Sequence, residues 1–169
     1  MVDAKRMTDA LARRILRAQP TLKSTQHLEA LLRMAQNGAT SAAAPLLVDA
    51  HCKAGREESA LSVLRRGRFG ARAYEPLLVS HVRNGDDRGL RDSIRLMREM
   101  GAKPSGQTFG ALLQARIERG ETTRALRVCE AALAAGDPPP IAAVQELLVS
   151  LTHAGLSGSA LELLSHLRV

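Results

Sequence analysis

The sequence predicts an all-α fold, a right-handed α-solenoid of about five stacked antiparallel helical hairpins. Three observations predict it. Apolar residues recur at positions i, i+3, i+4, i+7 and i+8, the spacing of one helix face, and not in the alternation of a strand. Glycines recur at intervals of 30 to 35 residues. Ala, Leu and Arg dominate a chain of 169 residues with only 2% aromatics, a composition that favours helix over strand.

Four glycines define the repeat, because each follows an apolar helical stretch. Their spacings are 30, 35 and 35 residues, and they are Gly55, Gly85, Gly120 and Gly155. An apolar pair stands eight and seven residues before each glycine: Leu47–Val48, Leu77–Leu78, Leu112–Leu113 and Leu147–Leu148. Glycine accepts positive φ at no steric cost. We therefore expect each glycine to end one helix and reverse the chain.

The repeat divides the chain into hairpins. We predict four of them, at about residues 41–70, 71–105, 106–140 and 141–169. Breaks at "GAKPSG" and "GDPPP" separate the later units, since proline cannot continue a helix but can open the next one. Residues 1–40 fit a fifth, divergent hairpin that is interrupted at Pro20. Such hairpins bury their apolar faces only by stacking on their neighbours, which predicts the solenoid.

Histidine and cysteine near the first turns are interpreted as structural. His51 and His81 occupy the same position of adjacent units, but no carboxylate or thiolate recurs in register to complete a tetrahedral metal site. Cys52 and Cys129 lie among apolar neighbours and are interpreted as small core residues. Two cysteines are also too few for a disulfide scaffold. We predict no metal and no cofactor.

Acidic pairs follow two of the turns. Asp86–Asp87 and Glu57–Glu58 stand where they would stabilise the N-terminus of the next helix, so we predict a capping role for them. The sequence contains no glycine-rich phosphate loop, serine elbow or acidic nuclease triad. We predict no catalytic residue and no small-molecule substrate. No apolar run approaches the roughly 18 residues of a membrane span, so we expect no membrane partner.

Charge is distributed unevenly along the chain. The chain has 24 basic and 17 acidic side chains. Residues 1–127 hold 23 of the basic and 13 of the acidic ones, whereas residues 128–169 hold one basic and four acidic side chains. A basic body of this kind favours a polyanion partner, with RNA the first candidate. The alternative is a solvated arginine-rich surface. The densest basic run is Arg65, Arg66, Arg68 and Arg72, which we predict to contact phosphates.

Several motifs together resemble the pentatricopeptide repeat (PPR) family. They are the 35-residue period, "LLVDAHCKAGREESAL" at residues 46–61, "MREMGAKPS" at residues 97–105, and an aromatic three residues before the apolar pair at Tyr74 and Phe109. The resemblance covers about residues 41–169. The tetratricopeptide repeat is the nearest alternative, but its period is 34 and its Trp and Tyr signature is missing.

The resemblance implies single-stranded RNA binding in mitochondria or plastids. It places the family's base-reading pairs at Glu75 with Ser105 and at Gly110 with Pro140, and its phosphate contacts at Lys53 and Arg83. Glycine and proline offer no side-chain hydrogen bond, so the reading code is largely absent. The predicted RNA-binding residues are Lys53, Arg65, Arg66, Arg68, Arg72, Glu75, Arg83 and Ser105.

We therefore expect a non-catalytic, RNA-associated scaffold that contacts RNA mainly through its backbone, and neighbouring proteins of a larger complex. An organellar ribonucleoprotein such as the mitochondrial ribosome fits this description. The alternatives are a sequence-specific RNA-processing factor and a protein-only helical adaptor. The resemblance and the Arg-rich amphipathic start at residues 1–20 favour the mitochondrial matrix. Because Asp3 and Asp9 are atypical of a presequence, the start itself is interpreted first as a structural helix, with a targeting segment as the alternative.

Overall fold

The computed structural model describes residues 44–167 of the chain. This range contains eight α-helices, one 3₁₀ turn and no strand, which confirms the predicted all-α fold. The helices are α1 (Ala44–Lys53), α2 (Glu57–Arg65), α3 (Glu75–Asn84), α4 (Asp87–Glu99), α5 (Gly106–Glu118), α6 (Thr122–Ala134), α7 (Ile141–His153) and α8 (Ser157–Leu167), with the 3₁₀ turn at Ala71–Ala73. The predicted hairpin at residues 1–40 lies outside the described residues. None of the described helices is long and apolar enough to cross a lipid bilayer.

Six of the described helices end in the same backbone turn. A glycine with φ between 68° and 81° follows each of them: Gly55, Gly85, Gly101, Gly120, Gly136 and Gly155. The glycine N–H donates to the carbonyl three residues back, and the next N–H donates to the carbonyl five residues back, with N···O distances of 2.8–3.2 Å. This is the Schellman motif, which satisfies the last carbonyls of a helix. The positive φ predicted for the four repeat glycines is confirmed.

Two of the described helices have a side-chain cap at the N-terminus. Asp86 caps α4 and accepts from the Gly89 N–H at 2.8 Å, which confirms its predicted role. Ser105 caps α5 in the same way, with the Thr108 N–H as donor. Glu57 does not cap α2. It lies in the first turn of that helix, after an N-cap residue that makes no side-chain capping bond.

The described residues fall into two compact units. The first unit consists of residues 44–81 and Asp86–Lys103, and the second consists of Val82–Gly85 and residues 104–167. In the first unit α1 packs against α2 and the 3₁₀ turn. Its fully buried side chains include Leu47, Val48, Leu64, Tyr74, Leu77, Leu78 and Met97. The apolar pairs predicted for the first two repeats are therefore core residues.

The core of the second unit runs through four helices. Helix α5 packs against α6 and α7, α6 also packs against α7, and α7 packs against α8. The buried residues that join them are Leu113, Ala125, Cys129, Ala143, Val144, Leu147, Leu151, Ala160 and Leu163. The burial predicted for Cys129 is confirmed.

Candidate nucleic-acid interface

The predicted arginine run lies at the surface where α2 ends. Arg65 is the last residue of α2, Arg66 is its C-cap, and Arg72 lies in the 3₁₀ turn. Arg68 lies between them in the connecting segment, and all four side chains are exposed. The structure places only Arg65 beside a second group of arginines.

That second group belongs to α4. An open groove of about 650 Å³ in the first unit is lined by Arg65, Arg88, Arg91, Asp92, Arg95, Leu96 and Glu99. Four arginines and two carboxylates give its lining an excess of positive charge. An open, positively charged groove suits a phosphate backbone, because counterion release supplies affinity without reading the sequence.

The α4 arginines form a stripe along one helix face. They recur at steps of three and four residues, which places neighbouring side chains about 5–6 Å apart on the same face. Arg88 and Arg95 share Asp92 as an ion-pair partner, with N···O distances of 4.0 and 3.5 Å. Arg91 forms no ion pair with another described residue. Sequence analysis missed this stripe, although its spacing in "DRGLRDSIRLMRE" is visible in the sequence.

The two predicted phosphate contacts at helix ends are paired with carboxylates. Lys53 Nζ lies 2.7 Å from Asp49 Oδ2, one turn earlier on α1. Arg83 Nη2 lies 3.2 Å from Glu118 Oε2. Both basic side chains remain more than half exposed. A phosphate at either position would have to share the cation with the carboxylate.

The positions implied as base readers hold residues with structural contacts. Glu75 is the first residue of α3 and is partly buried. The Ser105 hydroxyl is engaged in capping, and lies 3.0 Å from the Thr108 hydroxyl. A Cβ on Gly110 would stand 2.7 Å from Cδ of Pro140. The lack of a side chain at Gly110 therefore has a packing reason, since the proline ring lies against it.

His81 lies at the centre of a polar cluster in the first unit. Its Nε2 is 3.1 Å from Ser93 Oγ, and its Nδ1 is 3.0 Å from Asp86 Oδ2 and 3.6 Å from Glu57 Oε2. The capping bond from the Gly89 N–H lowers the pKa of Asp86, and the nearby imidazole contributes to the same shift. Sequence analysis missed the convergence of Glu57 on His81, because the two residues belong to different repeats and do not share a register.

Arg116 occupies the position of His81 one repeat later, and it is also buried. It forms an ion pair with Glu121, the residue that follows the turn glycine. Arg119 and Arg124 contact the same carboxylate at 3.0 and 3.5 Å. The hydrogen bond from Arg116, followed by that from Arg119, holds the pKa of Glu121 below its ordinary value. This cluster is therefore a charge network within the second unit.

The thiols are in environments that disfavour the thiolate. Burial raises the pKa of Cys52 to about 12, with further contributions from the charges of Glu57 and Asp49. Burial also raises the pKa of Cys129. A nucleophilic cysteine requires the opposite shift. Cys129 is a buried core residue as predicted, whereas Cys52 is only partly buried.

Comparison with models of protein families and with curated proteins gives no match for this chain.

Proposed function

We propose that this chain is a non-catalytic PPR-like α-solenoid that binds RNA through phosphate contacts, as a scaffold component of an organellar ribonucleoprotein such as the mitochondrial ribosome. The observation that carries the proposal is the arginine-lined groove of the first unit, where Arg65 meets the α4 stripe. The six glycine turns and the resemblance of residues 41–169 to PPR repeats support the solenoid. The mitochondrial matrix is part of the same proposal, and rests on the resemblance and the arginine-rich start.

The groove favours backbone contacts over base reading. Phosphate contacts fix the position of a protein on RNA but carry no sequence information. Sequence-specific recognition would require stacking groups and hydrogen-bonding side chains at repeated positions. Of the implied base readers, the Ser105 hydroxyl caps a helix and Gly110 packs on Pro140. Uniform binding to many sequences follows from this combination.

A protein contact is the second proposed interaction, and the second unit favours it. Ile141 and Leu161 are 78% and 68% exposed, and Val149 is 54% exposed. Exposed apolar side chains grouped on one helix pair are typical of surfaces that bind proteins. Residues 128–169 also carry a net negative charge. A scaffold of this kind would hold RNA with its basic first unit and a neighbouring protein with its acidic C-terminal segment, residues 128–169.

RNA binding is tested with a pair of charge-matched double variants. Arg65→Gln with Arg91→Gln removes two groove cations, whereas Lys103→Gln with Arg127→Gln removes two exposed cations elsewhere. Fluorescence anisotropy with several unrelated single-stranded RNAs, repeated over a series of salt concentrations, measures affinity. Each lost phosphate contact should lower the slope of log K against log salt by about 0.7. We expect the groove variant to lose about 1.4 in slope and the control to keep the wild-type slope.

The same measurement separates the alternatives. A marked preference of the wild-type protein for one RNA sequence would favour the sequence-specific processing factor. An absence of binding at low salt would favour the protein-only adaptor. Equal losses in the two double variants would mean that overall charge, and not the groove, attracts the RNA.

A further inference from the structure

The most unusual polar group in the described residues is the His81 cluster. His81 is 3% exposed, and the carboxylates of Glu57 and Asp86 both face its Nδ1. We propose that Glu57, His81 and Asp86 form a divalent metal site, with Zn²⁺ the ion that it fits. The site is independent of RNA binding. The sequence did not predict this site, because the repeat aligns His81 with His51 and aligns neither of them with a carboxylate.

The hydrogen bonds around the cluster leave three ligand atoms directed at one point. The Ser80 hydroxyl donates to Glu57 Oε1 at 3.2 Å, so that Oε2 faces the histidine. The Gly89 N–H donates to Asp86 Oδ1, so that Oδ2 faces the histidine. Each carboxylate therefore has one oxygen fixed by a protein donor and the other turned inward.

The imidazole is oriented in the same manner. When Nε2–H donates to Ser93 Oγ, the Nδ1 lone pair points at the two carboxylates. Nδ1 is enclosed and has no well-directed hydrogen bond within the described residues, despite its 3.0 Å distance from Asp86. A ring nitrogen that faces two carboxylate oxygens is stabilised by a positive charge between them, either a proton on Nδ1 or a metal ion. Metal-bound histidines in proteins almost always have their second nitrogen hydrogen-bonded in this way.

The spacing of the ligand atoms fits a small divalent ion. With metal–ligand distances of about 2.0–2.1 Å, the edges of a tetrahedron are about 3.3–3.4 Å. The two edges from Nδ1 are 3.0 and 3.6 Å, and the three ligand atoms all lie within 4.8 Å of one another. One nitrogen and two carboxylate oxygens are ligands that Zn²⁺ accepts, with water in the fourth position.

A glycine maintains the space beside the site. Gly89 is the third residue of α4, and glycine is a poor helix former. A Cβ at this position would stand 2.0 Å from Asp86 Oδ2 and 2.5 Å from His81 Nδ1. The helix therefore lacks a side chain at the one point where it would displace the ligands. The bound ion would join α2, α3 and the N-terminus of α4 within the first unit.

The test is zinc binding by the full-length protein after treatment with EDTA and desalting. Isothermal titration with ZnCl₂ should give one tight site, and thermal unfolding should shift upward by several degrees when zinc is in large excess over Kd. Titration with CoCl₂ should give the intense visible absorption of a tetrahedral cobalt site. The Ser93→Ala variant, which loses the partner of Nε2, should bind zinc about 10- to 100-fold more weakly.

Matched acidic variants separate the site from adventitious binding. Glu57→Gln should abolish the tight site, whereas Glu58→Gln, the exposed neighbour in the same helix turn, should bind zinc as the wild type does. If Glu57→Gln fails to fold by circular dichroism, Asp86→Asn replaces it, because asparagine remains a good N-cap. Equal zinc affinity in Glu57→Gln and Glu58→Gln, or no tight site in the wild type, would overturn the proposal.

Discussion

The turns at Gly120 and Gly155 have the same backbone and different side-chain chemistry. The two glycines have φ of 71° and 73°. In both turns the residue after the glycine donates its N–H to the carbonyl five residues back at 2.9 Å. In the Gly120 turn the two residues joined by this bond are the buried Arg116 and Glu121. In the Gly155 turn they are Leu151 and Leu156. An apolar pair is the usual companion of this turn, so the glycine determines the backbone and leaves the side-chain pair free to vary.

The largest expected effect comes from removing one half of the charged pair. Arg116 is 5% exposed, so Glu121→Leu would leave a buried cation without its main carboxylate. Breaking such a pair typically costs 3–5 kcal/mol, and the partial exposure of Glu121 places our expectation at about 3 kcal/mol. Urea unfolding of Glu121→Leu measures it. Glu130→Leu, an exposed glutamate on α6, is the control and should change stability by less than about 0.5 kcal/mol.

The double variant Arg116→Leu with Glu121→Leu copies the Gly155 turn into the Gly120 turn. Replacing both members of a buried ion pair by apolar residues is often neutral or stabilising. We expect its unfolding free energy to return to within about 1 kcal/mol of the wild type. If the double variant were as unstable as Glu121→Leu, the two turns would not be interchangeable and the charged pair would be required for folding of this unit.

A smaller effect is expected from the turn glycines themselves. A Cβ on Gly120 meets no atom within 4 Å, so any cost of a side chain there comes from its φ of 71°. Gly120→Ala should destabilise the protein by about 1–2 kcal/mol, and the β-branched Gly120→Val by more. Gly158 in α8 also has open space but no positive φ, so Gly158→Ala should stabilise by about 0.5–1 kcal/mol. Thermal melts with shifts of the same sign in the two alanine variants would contradict the turn assignment.

These comparisons show which features could be read from the sequence. The helices and the turns at Gly55, Gly85, Gly120 and Gly155 were predictable, because helical periodicity and positive φ are local properties. The cap at Asp86 was predictable for the same reason. The apolar pairs seven and eight residues before each turn were predictable from their recurrence, and all of their members are buried except Leu148, which is partly buried.

The polar clusters could not be predicted in the same way. Glu57 and His81 meet because residues from different repeats pack together, and no fixed spacing records that contact. The repeat register aligns His81 with His51 and aligns no carboxylate with either, so it predicted structural histidines and no metal site. The arginine stripe of α4 is visible in the sequence at steps of three and four residues, but the density of basic residues pointed instead to the run that begins at Arg65.

The smallest expected effect is a pH dependence of stability that the Gly120 turn has, through Glu121, and that the apolar Gly155 turn lacks. The pKa of Glu121 is lowered from 4.5 by its arginine partners. A lowered pKa stabilises the folded state above the ordinary value, and that contribution is lost as pH falls from about 4.5 through the lowered pKa. The pKa of Asp86 is lowered too, so the wild type should lose stability on acidification from both groups. The double leucine variant has no carboxyl at position 121, so only the Asp86 contribution remains to be lost. Its stability in urea unfolding should therefore decline less steeply below pH 4.5 than that of the wild type. Parallel profiles for the wild type and the double variant would show that the Arg116–Glu121 pair does not couple protonation to folding.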